Sequence, residues 1–110
     1  MNHQIAFCSP PDDSMSPTIE MDDTLVVDTD IKAYQGAGIY CLSLGGAKHF
    51  RRITGWDDPR IISCDNRTIP PEVADEGMIN DMIFGKVSHV IKRVDYATKI
   101  SLTEDAFADA

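Results

Sequence analysis

The sequence predicts a mostly-β domain built from bent antiparallel strands. Three observations point there. Short runs rich in β-formers recur roughly every 8–20 residues. Turn chemistry separates them: an acidic Pro-Pro-Asp-Asp stretch, a Gly-Gly pair, and Trp-Asp-Asp-Pro. No amphipathic helical pattern of about ten residues or more competes with them.

Taken in order, the first strand expected is residues 24–29 (TLVVDT), entered through the turn-like Met21-Asp22-Asp23. Residues 38–44 (GIYCLSL) and 47–54 (AKHFRRIT) flank Gly45-Gly46 and read as a β-hairpin. Trp56-Asp57-Asp58-Pro59 makes the next turn, and residues 60–64 (RIISC) another short strand. Residues 65–71 (DNRTIPP) cannot continue it, because proline removes ladder donors. Residues 82–94 (MIFGKVSHVIKRV) read as a long, bent strand, with Gly85 marking a bulge or a close approach of backbone. One domain is expected over residues 1–100, followed by a frayed or weakly helical tail at 101–110.

Composition narrows the function classes. The 110 residues suffice for one small core. Ten basic against 18 acidic residues leave a formal charge of -8, which disfavours direct contact with nucleic acid, where affinity comes from neutralised phosphates. No run approaches the roughly 18 consecutive apolar residues of a membrane span, and the N-terminus lacks a signal pattern, so a cytoplasmic protein is expected. Cys8, Cys41 and Cys64 are odd in number and form no CxxC pair, and His3, His49 and His89 are scattered. They read as reduced, partly buried cysteines and unconnected histidines, so neither a metal nor another cofactor is expected.

The chemistry-bearing stretch is residues 12–18, Asp-Asp-Ser-Met-Ser-Pro-Thr. Ser14 lies on an irregular acidic turn before an extended segment, a place where a hydroxyl is expected to be exposed at a sheet edge and to meet a peptide. Asp13 and Met15 would then flank a peptide groove. The plain alternatives are a turn serine bonded to its own backbone and a methionine filling the core.

Four segments in order resemble the LexA and phage-repressor family of serine peptidases. DDSMSPTIEMDDTLVVDT (12–29) is similar to the family's Gly-Asp-Ser-Met-x-Pro-Thr motif and the strand after it. GAGIYCLSLGG (36–46), ISCDNRTIPP (62–71) and IFGKVSHVIKRV (83–94) resemble its later strands and turn. The resemblance implies a LexA/signal-peptidase-like β fold and a serine–lysine pair, with Ser14 in the nucleophile position. The family's general base lies five residues after the hairpin glycine. Counting from Gly46 puts Arg51 there, and a slip of one residue would put Arg52 there. Neither register supplies lysine. Lys48 falls on the opposite strand face and His49 on the same face as Arg51, because side chains alternate. An amine can be desolvated until neutral and take the serine proton, whereas a guanidinium stays protonated. Asp12 also replaces the family's usual glycine and favours a charged Arg51.

The resemblance therefore implies the self-association and regulatory domain of a prophage-type transcriptional repressor of the SOS-response kind, with a degenerate self-cleavage site. It would form dimers or higher assemblies through exposed β edges and the long closing strand. An N-terminal helix-turn-helix domain outside this chain would hold the operator DNA, so DNA binding is indirect, and a RecA-type co-protease is a further partner it implies. Two rivals stay open: an active self-cleaving serine peptidase using Arg51, His49 or Lys48 for the proton, and a polymerase-accessory protein of DNA-damage tolerance.

Overall fold

The computed structural model describes residues 4–93. The tail expected at 101–110 lies outside them. Seven strands and one helix follow in order: β1 (Ile5–Cys8), β2 (Thr24–Asp28), β3 (Gly38–Leu44), β4 (Ala47–Thr54), β5 (Arg60–Ser63), β6 (Glu72–Ala74), α1 (Glu76–Met82) and β7 (Ile83–Ile91). The strands form one sheet in the order β1-β2-β7-β3-β4-β5-β6, antiparallel at every junction. The fold is mostly β, as the sequence predicts.

Strand periodicity explains how this sheet carries core on both faces. In β3, Tyr40, Cys41 and Leu42 are all fully buried although successive side chains point to opposite faces. Cys41 joins Met15, Ile19, Leu25, Val27 and Phe50 in one apolar cluster. Tyr40 and Leu42 join Ile53, Ile62, Ile79 and Ile83 in the other. β4 repeats the division, with Phe50 serving the first cluster and Ile53 the second. The residues between 9 and 23, ahead of β2, and the helix α1 supply the covers that a bare sheet lacks.

The β3–β4 hairpin closes as expected: Leu44 pairs with Ala47, and Gly45 and Gly46 both take positive φ (57° and 83°), which the tightest hairpin turn demands. Gly85 is the other glycine the fold requires. A Cβ there would lie 2.5 Å from Val27 Cγ1 and 2.8 Å from the Asp28 carbonyl oxygen, and the β3–β7 register shifts beside it.

The structure adds to the expectations at three points. The long closing strand is interior to the sheet: β7 pairs with β2 along one side and with β3 over Ile83, Gly85 and Lys86 on the other. Among the described residues the edge strands are β1 and β6. The strand also starts one residue late, because Met82 closes α1, and Val94 lies outside the described residues. Finally, β1, β6 and α1 were not foreseen; each is short, and α1 is a seven-residue helix capped by the Asp75 side chain on the Met78 N–H at 2.8 Å.

Candidate functional site

The loop that presents Ser14 is fixed by its own polar residues. The Asp12 carboxylate accepts the Ser14 N–H at 3.0 Å, and the Asp13 carbonyl accepts from Ser16 N at 3.0 Å. Met15 O accepts from Ile19 N at 2.9 Å, so the segment coils once before it reaches β2. On the far side, the 65–71 turn is stitched to it: Asn66 N donates to Ser14 O at 3.0 Å, and Asn66 Nδ2 to Asp13 O at 3.3 Å. Ser14 thus has its N–H, its carbonyl and its side chain all engaged.

β4 brings the partner. Its pairing with β5 runs from Thr54 back only to Arg52, leaving Arg51 at the first position beyond it. There Arg51 Nη1 donates to Ser14 Oγ at 3.0 Å and to the Phe50 carbonyl at 2.7 Å, so both hydrogens of that nitrogen are used. Of the two adjacent arginines, Arg51 is the one that meets the serine. Arg52 points away and forks onto Asp65, Nε to Oδ1 at 2.8 Å and Nη2 to Oδ2 at 2.7 Å. Lys48 stacks over the Phe84 ring, its Nζ 3.9 Å from the centroid. His49 shares Arg51's face; its Nδ1 is buried without a hydrogen-bond partner, and no hydrogen bond joins it to Ser14 among the described residues.

Two expectations for this loop are corrected. Ser14 is not an exposed hydroxyl: it is 5% exposed, because the 65–71 turn and Arg51 close over it. Met15 does not line a peptide groove. At 2% exposure it packs with Ile19, Leu25 and Phe50, and the plain reading of core filler is the right one. Asp13 is exposed, and its backbone carbonyl rather than its carboxylate is what holds the site.

The electrostatics follow from the same contacts. Hydrogen bonding from the Ser14 side chain is the chief influence holding the Asp12 carboxyl below its usual range. Burial opposes it, while the Ser14 N–H and the charges of Arg51 and His49 add to it. A carboxylate so stabilised is a poor base. A guanidinium, unlike an amine, has no lone pair to lend to a serine proton. The serine oxygen is consequently a hydrogen-bond acceptor for a cation, in a position where peptide chemistry would need it to lose a proton.

Beside Arg51 opens a cavity of about 310 Å³, walled by apolar side chains including Leu42, Ile62, Val73 and Met78, with Glu72 among its lining residues. Sequence reading missed it, because β6 and α1, which supply half the wall, carry weak local signals. The one usable sign was Asp75 ahead of Glu76, a helix N-cap pattern. Among the described residues, no group of three or more His, Cys, Asp or Glu could hold a metal ion.

The chain matches the peptidase S24-like family over residues 2–88. It belongs to that family. The S24-like match is that of LexA and phage-repressor-like serine peptidase domains, and the Ser14–Arg51 contact lies inside it. Comparison with curated proteins gives no match. Among the described residues of this S24-like domain, no helix is long and apolar enough to cross a membrane.

Proposed function

We propose that this S24-like chain is the self-association and regulatory domain of a prophage-type transcriptional repressor whose Ser/Lys self-cleavage chemistry has been lost. The observation that carries the reading is the 3.0 Å hydrogen bond from Arg51 Nη1 to Ser14 Oγ. A lysine in that place can be desolvated to a neutral amine; an arginine cannot, so the geometry of a dyad survives without its base. Asp12 reinforces the loss, since it keeps a negative charge near the guanidinium.

A net charge of -8 supports an indirect role on DNA, with a helix-turn-helix domain elsewhere making the phosphate contacts. Self-association of the present domain then links two such readers, and the second half-site is bound at high effective concentration. A RecA-type co-protease loses its purpose if the dyad is dead, and the reading does without one.

An intact-mass time course at alkaline pH on the longest natural form, run beside its Ser14→Ala version, tests the loss of cleavage. The reading expects a single unchanged mass in both. Fragments in the parent that vanish with Ser14→Ala would replace it with an active peptidase. Sedimentation at high micromolar concentration tests the other half, and a monomer there would remove self-association.

A further inference from the structure

The cavity beside Arg51 carries two charged residues on its wall, Arg51 and Glu72, and the rest of its lining is apolar. Leu42 and Ile62 in that lining are buried, while Val73 and Met78 are exposed, so the cavity runs from the core to the surface. Its volume of about 310 Å³ is at the small end for a ligand pocket and suits a single small metabolite.

Arg51 leaves one edge of its guanidinium unused. Nη1 is spent on Ser14 Oγ and the Phe50 carbonyl. Among the described residues Nε and Nη2 donate to nothing, and neither is a buried orphan. Arg52 shows what that edge does: its Nε and Nη2 take the two oxygens of Asp65 at 2.8 and 2.7 Å. Arg52, Arg60 and Arg93 pair with Asp65, Glu76 and Asp22, whereas Arg51 pairs with no carboxylate among the described residues. Asp12 feels the Arg51 charge but is held by the Ser14 N–H.

Glu72 is the opposite pole. It is exposed at the start of β6, and its carboxylate makes no hydrogen bond or ion pair among the described residues. An anionic ligand would meet Glu72 and a chain already at -8; a cationic one would meet Arg51. A zwitterion with an apolar tail meets neither cost and satisfies both poles.

We infer that this cavity binds a free apolar α-amino acid of the leucine kind. Its α-carboxylate lies on the Nε–Nη2 edge of Arg51, its α-ammonium at Glu72, and its side chain among Leu42, Ile62 and Met82. The inference goes beyond the repressor reading and does not depend on it, so each can fail without the other.

A methyl-resolved NMR titration of the full chain tests it. The probes are L-leucine, glycine, isocaproate (no amine), isoamylamine (no carboxylate) and N-acetyl-leucine. The series is repeated on Glu72→Gln, which alters an exposed residue and spares the fold. L-leucine should shift the methyl groups of Leu42, Ile62, Val73 and Met82 and saturate below about 10 mM. The other four probes should bind about tenfold or more weakly. In Glu72→Gln the gap between L-leucine and isocaproate should close, because the amine has lost its partner.

No shift at these methyl groups with L-leucine overturns the inference. Equal binding of glycine does so too, since the apolar lining would then be idle. Isocaproate binding as tightly as L-leucine, or a gap unchanged in Glu72→Gln, removes Glu72 and with it the amino-acid assignment. Equal binding of N-acetyl-leucine overturns it in favour of the C-terminal residue of a peptide.

Discussion

At the level of single residues, the division of labour between Arg51 and Arg52 decides what the site can be. They are adjacent on β4, so they point to opposite faces; one meets Ser14 and the other Asp65. The Arg52–Asp65 fork is structural: Asp65 also accepts from the Thr18 hydroxyl, joining the 12–18 loop to the 65–71 turn. Asp65→Asn should therefore cost about 1–2 kcal/mol, since a two-point charge-assisted bond is lost while Arg52 keeps partial access to water. Urea unfolding would measure it, and a change within a few tenths would show the fork to be idle. The position of Arg51 was legible by counting from Gly46, because a hairpin fixes register once its turn is known. The burial of Ser14 and Met15 was not legible. It arises from Asn66 and Phe50, which are distant in sequence and carry no local sign of where they will pack.

At the level of elements, β7 holds the molecule together. It passes between β2 and β3 and pulls both clusters onto one frame. Its far end is pinned by Lys92, which donates to Thr18 O at 2.9 Å and pairs with the buried Asp23. Gly85 is where the passage is narrowest. Gly85→Ala would press a methyl group into Val27 and the Asp28 backbone, and the backbone cannot yield as a side-chain tip can. The expected loss is about 2–3 kcal/mol, read from the urea midpoint; a neutral result would mean that β2 shifts freely against β7. The strands β2, β3, β4, β5 and β7 were readable because each is a run of β-formers bounded by turn residues. β6 and α1 were not, since three and seven residues are too few for a period to show, and β1, as short as β5, lacks a turn like the Trp56–Pro59 one that announces β5.

For the molecule as a whole, three aspartates couple the fold to acid. The carboxyls of Asp12, Asp23 and Asp65 all lie below the ordinary value of 3.8. For Asp65 the Arg52 bond is the main cause. For Asp23 burial pushes the other way but is outweighed by the Lys92 bond and by the Glu20 N–H at 2.8 Å with its companions. Below that ordinary value the unfolded chain binds protons that the folded chain refuses. Stability from these groups is thus complete above about pH 4 and drains away as pH falls through the lower folded values. Urea midpoints should agree between about pH 7 and pH 5 and drop clearly by about pH 3; a midpoint already falling at pH 5 would show another group in control. These carboxylates link the 12–18 loop, the 65–71 turn and the ends of β2 and β7, so acid should loosen the Ser14 site together with the sheet.

The most direct test of a preserved site without a base is labelling by a serine-directed fluorophosphonate at alkaline pH, read by intact mass. It would compare the natural chain, Arg51→Lys, and Arg51→Lys combined with Ser14→Ala. The account predicts no adduct on the natural chain, one adduct on Arg51→Lys, and none once Ser14 is also removed. An adduct at Ser14 of the natural chain, formed as fast as in Arg51→Lys, would contradict it.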